Sequence, residues 1–250
     1  MADDILIGIR SYKRAQQQLT LDLLESLGLP KERIIFSVQT REDLKAYKEA
    51  GVDKRVSRLI YRAGNCSAEN INTLLDSVPQ GTRLVVLDDD ITAINRRVND
   101  KKSVTMSSAQ EFWGLCEIGF AAAKLYQTVA FGIYPVDNPM FMSDRIVAKS
   151  IIIGTFMGIV VGDMRFNAAY AVKEDYEFSC RVIKRYGALP RINYFAPKAK
   201  HYSAGGCEEA WKQKRRNLRL AQCLVDAYPD LLKMNVKREG EVLMRRCKKD

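Results

Sequence analysis

Three consecutive aspartates, Asp88, Asp89 and Asp90, directly follow the apolar run Leu84-Val85-Val86-Leu87. Such a run predicts a buried strand, and open α/β sheets bind ligands in the crevice outside the carboxyl ends of their strands. Adjacent carboxylates repel one another unless a cation neutralises them, and their oxygens suit Mg²⁺ or Mn²⁺, the ions that accompany phosphates. The triplet therefore predicts a divalent metal site. A solvated acidic turn is the alternative that these residues alone leave open.

Two further acidic residues, Glu174 and Asp175, occupy the predicted first turn of a helix that continues to Tyr186. Acidic side chains there interact favourably with the positive end of the helix dipole, so capping is a sufficient structural explanation for one of them. A carboxylate in that position is also held in place and kept ionised, as a base that deprotonates a hydroxyl group must be. The pair is consistent with one capping residue and one catalytic residue.

His201 is the only histidine of the chain, and Gly205-Gly206 follows it. A single histidine is more often structural than a metal ligand. Its imidazole would nevertheless add a nitrogen to a site otherwise made of Asp oxygens, which favours Mn²⁺ over Mg²⁺. On that interpretation His201 lies beside Asp90.

The first half of the chain alternates between strand-like and helix-like segments, which must position these residues. Strands are predicted at 5–9, 33–38, 57–61 and 84–87, and helices at 16–27, at 40–50 and up to about residue 78. Thr40 with Asp43 resembles a capping box, Gly51 closes that helix, and Ser67 with Asn70 is expected ahead of the next one. Four strands with helical crossovers predict a mainly parallel sheet wound in right-handed βαβ units.

The pattern is less regular after Asp90. An exposed polar and basic loop is predicted at 95–107, an amphipathic helix at 108–126, and a strand at 129–134 before a turn with two prolines. Residues 151–162, where glycines interrupt apolar residues, are consistent with two short strands around a pocket wall or with a plain buried hairpin. A helix predicted at 210–228 carries the basic residues Lys212, Lys214, Arg215, Arg216 and Arg219, with no acidic residue among them.

Composition and charge limit the classes of protein. Of 250 residues, 47% are hydrophobic and 28% charged, which is typical of a globular protein with a sizeable core. The longest uncharged stretch, residues 150–162, is too short for a membrane span, and the first residues lack an export signal. The six cysteines are scattered along the sequence, which predicts reduced thiols. The net charge is +10, and +7 of it lies in residues 198–250. We therefore expect no membrane partner, a cytoplasmic location and a polyanionic partner, with nucleic acid the first candidate and a merely basic surface the alternative.

In their order along the chain, these motifs resemble GT-A glycosyltransferases, metal-dependent enzymes that use nucleotide-diphosphate sugars. The resemblance covers about residues 5–206 and rests on 9–11, 64–70, 87–91, 154–158, 173–175 and His201. More narrowly, residues 134–139 and 174–179 with Arg181 are similar to the phage TET-associated group, the base J glucosyltransferase relatives that glycosylate hydroxymethylated pyrimidines in DNA.

The resemblance implies an α/β GT-A fold, a Rossmann-like mixed sheet with helices on both faces. We expect residues 1–206 to form this domain and residues 207–250 to form a basic helical extension packed on it. A phage-encoded protein of this kind would act in the host cytoplasm.

The resemblance also implies the metal site and the nucleotide site. Asp90 would ligate the metal, Asp88 would contact the metal or the ribose with Asp89 assisting, and His201 would be a further metal ligand. The residues near the donor nucleotide would be Arg10 and Asn70.

For the reaction itself, the resemblance implies Asp175 as the base, with Glu174 holding acceptor or sugar hydroxyls. Many members of the fold have Arg-Asn where this chain has Glu69-Asn70, so the pyrophosphate lacks one expected cation. Lys200 is a candidate replacement, as are Lys198 and Lys212.

The expected function is transfer of a sugar from a UDP-sugar, UDP-glucose first, to 5-hydroxymethylcytosine or 5-hydroxymethyluracil in double-stranded DNA. Mn²⁺ or Mg²⁺ would be the cofactor, and the basic face from Lys212 to Arg219 would hold DNA phosphates. Two alternatives stay open: the same fold acting on a glycan, lipid or protein, and a non-catalytic nucleic-acid binding protein.

Overall fold

The computed structural model describes residues 4–64, 66–200 and 214–245. The helices are α1 (Leu19–Ser26), α2 (Arg41–Glu49), α3 (Val52–Arg55), α4 (Ser67–Asp76), α5 (Ala109–Leu125), α6 (Glu174–Tyr186) and α7 (Lys214–Ala227). The first strands are β1 (Ile5–Arg10), β2 (Ile34–Val38), β3 (Arg58–Tyr61), β4 (Arg83–Asp88), β5 (Ile91–Asn99), β6 (Lys102–Thr105) and β7 (Ala130–Ile133). The later strands are β8 (Ile146–Val147), β9 (Phe156–Val160), β10 (Arg191–Ile192), β11 (Phe195–Ala199), β12 (Leu232–Met234) and β13 (Val242–Met244).

A large mixed sheet has the strand order β3-β2-β1-β4-β9-β7-β10-β8. The first four strands are parallel, as the sequence predicts. Strand β9 runs antiparallel to both β4 and β7, so β7 is parallel to β4. The carboxyl ends of β1, β4 and β7 therefore lie at one edge of the sheet, which we call the crevice edge.

Alternate residues of the central strands are buried on opposite faces of this sheet, so each face carries its own helices. Ile7 and Leu87 pack with side chains of α1, α2 and α5, whereas Leu84 and Val86 pack with α4 and α6. The Thr40 side chain accepts a hydrogen bond from Asp43 N at the start of α2, which confirms the predicted cap. The fold is thus the predicted α/β arrangement with helices on both faces.

Three local predictions were wrong. Residues 95–107 form most of the β5–β6 hairpin rather than a loop, because β5 also pairs with β11, which is distant in sequence. The stretch 151–162 contains the single strand β9, since residues 151–153 are not part of the sheet ladder. Ser67 and Asn70 lie inside α4, whose N-cap is Cys66, rather than ahead of it.

The C-terminal part packs against α6. Leu224 of α7 and Leu232 and Val242 of the β12–β13 hairpin form a small apolar cluster with Cys180 of α6. The Tyr228 hydroxyl donates to the Glu177 carboxylate at 3.0 Å. The described part of the extension therefore combines the predicted helix with a hairpin that the sequence did not predict.

None of the helices in the described ranges is both long and apolar enough to cross a bilayer.

Candidate active site

The crevice edge collects acidic and basic side chains from three elements. Arg10 ends β1, the Asp88-Asp89-Asp90 triplet ends β4, and Glu174 and Asp175 open α6. Asp88 N donates to the carbonyl of Thr155, just before β9, at 3.2 Å. Because parallel strands end at the same edge, residues more than a hundred positions apart meet there.

Arg10 joins the triplet to the α6 carboxylates. Its Nε lies 2.5 Å from Asp88 Oδ1, and its Nη1 lies 3.0 Å from Glu174 Oε1. The side chains of Arg10 and Glu174 are only 13% and 6% exposed, so water screens this ion pair weakly. The two acidic motifs of the sequence therefore belong to one site.

Gly154 allows this bridge to form. A Cβ atom at position 154 would collide with the Arg10 guanidinium, although the backbone torsions there suit any residue. The Gly154 amide also donates to Asp175 Oδ2 at 3.1 Å. The glycine therefore allows the segment just before β9 to pack closely against Arg10 at the end of β1.

Asp175 is a half-buried carboxylate whose other oxygen, Oδ1, accepts from Tyr176 N at 2.8 Å. Burial first, and then the negative charge of Glu174, raise the pKa of Asp175 to about 7, against the lowering effects of the Gly154 amide and the Arg10 charge. A carboxylate with a pKa near neutrality can accept a proton and release it again under physiological conditions.

The middle aspartate of the triplet points into the protein. Asp89 accepts from the Ser11 hydroxyl and pairs with Arg14 Nη1 at 2.6 Å. Burial raises the pKa of Asp89 to about 6, although Arg14 and Ser11 favour its charged form. Arg14 also lies 3.2 Å from Asp90 Oδ2, and its backbone amide donates to the Tyr47 hydroxyl at 2.9 Å. Asp89 thus anchors the turn that carries Asp88 and Asp90.

The backbone of the triplet is held from two sides. Thr20 Oγ1 donates to the Asp88 carbonyl at 2.5 Å and accepts from Ile91 N at 2.9 Å. On the other side, Lys200 N donates to the Asp90 carbonyl at 2.9 Å. The exposed end of β11 therefore lies directly against the triplet.

The remaining candidate residues are distributed as follows. Asn70 lies in α4 and donates to the Ser11 carbonyl at 3.0 Å, next to the end of β1. The side chains of Lys198 and Lys200 are exposed at the end of β11. His201 and Lys212 lie outside the described residues, and Lys214 begins α7 with an undescribed side chain. On α7 the exposed basic side chains are those of Arg215, Arg216 and Arg219.

Several residues of the site were given no role by the sequence, and Lys173, directly before Glu174, is one of them. Its side chain is only 1% exposed, and its ammonium lies 5.1 Å from the centre of the Tyr176 ring. Burial lowers the pKa of Lys173, whereas the charges of Asp175, Glu241 and Glu174 raise it. Val172 before it has a φ of 68°, a left-handed conformation that is strained for a β-branched residue. A buried cation among these carboxylates offsets part of their repulsion.

The donor set of the triplet fits a divalent ion in a nucleotide site. Arg10 and Arg14 already neutralise part of its charge, so repulsion alone does not require a metal. Within 4–64, 66–200 and 214–245, no group of three His, Cys, Asp or Glu side chains could hold one by itself. Mg²⁺ in phosphate sites, however, takes one or two carboxylates and completes its shell with phosphate oxygens and water. Asp88, whose side chain is 26% exposed, and Asp90 are the two carboxylates of the triplet that could serve in this way.

Solved structures with this architecture include the mannosyltransferase PcManGT from Pyrobaculum calidifontis, in complex with GDP-Man and Mn²⁺. It matches with a TM-score of 0.57 and 13% identity over 91% of this chain and 64% of its own. TarS from S. aureus, as residues 1–349, matches with a TM-score of 0.52 and 11% identity over 89% of this chain and 66% of its own.

The fold is the GT-A fold. The predicted fold is therefore confirmed. The chain spans about 64–66% of these two GT-A structures and 40% of the longer TarS structure. No protein-family model matches the sequence, and no curated protein is significantly similar to it.

Proposed function

We propose that this chain is a metal-dependent glycosyltransferase that uses a nucleotide-diphosphate sugar. The observation that carries the proposal is the Arg10 bridge between Asp88 and Glu174, with Asp175 beside it. Carboxylates suited to a phosphate-bound metal and a carboxylate suited to proton transfer thus share one crevice. The GT-A fold supports the same conclusion.

Asp88, Asp90 and His201 would hold the metal. The hydrogen bond from Lys200 N to the Asp90 carbonyl supports this, because His201 is the next residue in the chain. When bound, a divalent ion stabilises the negative charge that develops on the leaving diphosphate. Asp89 would act by positioning its two neighbours.

Asn70, Arg10 and Lys200 would serve the donor. The Asn70 side chain bonds to the Ser11 carbonyl next to Arg10, and its buried Oδ1 atom has no hydrogen-bond partner among the described residues, which supports a polar role at this end of β1. Lys200 is exposed next to the triplet, where it would contact the pyrophosphate. Arg10 would orient Asp88 and Glu174, and Glu174 would bind sugar or acceptor hydroxyls.

Asp175 would take the proton of the attacking hydroxyl group, and attack on the face opposite the diphosphate would invert the anomeric configuration. Its two backbone hydrogen bonds fix the carboxylate plane, so the proton would arrive at a defined position. Fixed geometry of this kind is what general-base catalysis requires.

For the acceptor, we propose the hydroxymethyl group of a modified pyrimidine in double-stranded DNA, with UDP-glucose as donor. The exposed Arg215, Arg216 and Arg219 of α7 support a polyanionic acceptor. A glycan acceptor suits the fold equally well, and the experiment below separates the two.

The test uses the full chain with Mn²⁺ and DNA that contains 5-hydroxymethylcytosine or 5-hydroxymethyluracil. UDP-glucose, other UDP-sugars and GDP-mannose are supplied in parallel, and the DNA is digested to nucleosides for mass spectrometry. A hexose adduct on the modified nucleoside is the expected result. If a glycan stimulates donor turnover and no hexose appears on DNA, the acceptor is a glycan rather than DNA. If no donor is turned over, the proposed glycosyltransferase activity is refuted.

Gly154→Ala is expected to lower kcat/KM for donor turnover by roughly 10- to 100-fold, because the new methyl group displaces Arg10 from its bridge. The free energy of unfolding should fall by roughly 1–3 kcal/mol, because the displaced guanidinium leaves a weakly screened ion pair with Glu174. Gly162→Ala is the matched control, because a Cβ there meets nothing within 4 Å. Equal activity of the two variants would show that the bridge is not needed.

Glu174→Gln is expected to move the acidic limb of the kcat–pH profile to lower pH. The base must be ionised, so activity rises as the pH passes the pKa of Asp175, which is about 7. Removing the negative charge of Glu174 makes ionisation of Asp175 easier and lowers that pKa. Glu49→Gln, at an exposed residue, is the control. A limb that stays in place, or moves to higher pH, would exclude Asp175 as the titrating base.

A further inference from the structure

The loop of residues 134–142, which follows β7, exposes a group of large apolar side chains. Val136, Met140 and Phe141 are 53%, 70% and 63% exposed. Exposed apolar residues that cluster in this way mark binding surfaces more often than isolated ones do.

The loop is held in a defined conformation, so this exposure is built into the fold. Its backbone turns around Asn138, whose side chain accepts from Met140 N at 3.1 Å. Two side chains of β5 hold it from below: Asn95 Nδ2 donates to Asp137 Oδ2 at 2.6 Å, and Arg97 Nε donates to the Pro139 carbonyl at 3.2 Å. Met142 is buried and anchors the end of the loop.

The position of the loop places it on the wall of the crevice. It leaves the carboxyl end of β7, at the same edge of the sheet as the end of β4. Its anchor Asn95 lies on β5, five residues after Asp90, which corresponds to about 17 Å along an extended strand. That separation exceeds the size of a single sugar ring, so the loop can contact an acceptor bound beyond the sugar.

The surroundings of the loop are basic. Residues 95–107 and 134–149 together contain six Lys or Arg and three Asp, a net charge of +3. Arg96, Lys101, Lys102 and Arg145 are exposed. An apolar tip surrounded by cations complements a nucleic acid, which offers flat apolar bases inside a charged backbone.

We infer that Met140 and Phe141 form a wedge that inserts between bases of the acceptor nucleic acid, next to the nucleotide that receives the sugar. This inference rests on the proposed function and refines its acceptor. An enzyme that modifies a base in a duplex must remove that base from the stack, and apolar side chains inserted at a base step compensate for the lost stacking. The surrounding cations hold the adjacent phosphates.

The experiment compares the full chain with the double variant Met140→Ser/Phe141→Ser. The probe is a DNA duplex with 5-hydroxymethylcytosine at one position and the fluorescent base 2-aminopurine beside it. We expect the unaltered protein to increase 2-aminopurine fluorescence and the double variant not to. We also expect the variant to lose roughly 10- to 100-fold in kcat/KM for the DNA, as the loss of one base-stacking contact predicts, while it hydrolyses the donor at an unchanged rate.

Leu125→Ser is the control, because Leu125 is 77% exposed where α5 ends, ahead of β7 and away from the crevice edge. If the double variant and the control show the same fluorescence and the same DNA kinetics, the proposal that Met140 and Phe141 insert between bases is wrong. The proposal is also wrong if the unaltered protein forms a dimer that the double variant abolishes, or if the protein transfers the sugar to a glycan alone. If neither the unaltered protein nor any variant hydrolyses the donor, the proposed glycosyltransferase activity is refuted. The change in 2-aminopurine fluorescence would still measure insertion into DNA in that case.

Discussion

Asp175→Asn is expected to reduce kcat for sugar transfer by about 10²- to 10⁴-fold, the usual contribution of a general base. The amide cannot accept the proton of the attacking hydroxyl group at neutral pH. It retains the size of the carboxylate, so the affinity for the nucleotide-sugar should change by less than about threefold. Steady-state transfer kinetics and calorimetric titration with the nucleotide-sugar measure the two quantities separately.

The control for this experiment is Asp163→Asn, which removes a carboxylate paired with Arg185 at an exposed site of the same chain. It should leave both quantities unchanged. If Asp175→Asn instead weakens nucleotide binding while kcat stays the same, the residue binds the donor and another group accepts the proton.

Arg14→Met is expected to lower the free energy of unfolding by about 3–5 kcal/mol, because it leaves the buried carboxylates of Asp89 and Asp90 without their shared cation. Methionine retains much of the apolar stem of the arginine, so the loss of charge dominates the effect. Urea denaturation at pH 8, where both carboxylates are ionised in the unfolded chain, measures the change.

Arg62→Met provides the comparison for Arg14. Arg62 pairs with Asp76, but its side chain is 65% exposed, so the loss should be less than about 1 kcal/mol. Similar losses for the two variants would mean that Asp89 and Asp90 are stabilised by other groups and that Arg14 does not anchor the turn.

The sequence predicted the regular half of the sheet because its pattern is local. Strands β1 to β4 are short apolar runs separated by helical segments, and Thr40, the one side-chain cap among those helices, directly precedes the helix α2 that it starts. The acidic triplet was expected at the end of β4 because the apolar run stops there. The same reasoning failed for residues 95–107, whose polar side chains resemble those of a loop, because β5 is stabilised by pairing with β11 about a hundred residues away.

The site was predictable only in part, for the same physical reason. Acidic residues at element ends identified Asp88, Asp90, Glu174 and Asp175 as candidates, and the structure brings their elements to one edge. The residues that hold them were not identified. Ser11, Arg14 and Tyr47 act through contacts across 30 to 80 positions, and no spacing in the sequence reveals them. Lys173 was noted only as part of a motif, since a lysine is ordinarily exposed.

The packing of the C-terminal part on α6 has a consequence for any attempt to change the proposed acceptor preference by protein engineering. The Tyr228 hydroxyl donates to Glu177, two residues after the proposed base Asp175, and the charge of Glu241 acts on Lys173, two residues before that base. We therefore expect that exchanging the C-terminal part between homologues would not change the acceptor preference alone, because this part contacts α6 close to the proposed base. A C-terminal part taken from a homologue would need residues equivalent to Tyr228 and Glu241. Without them, we expect the hybrid protein to lose the proposed sugar transfer as well as the original acceptor preference.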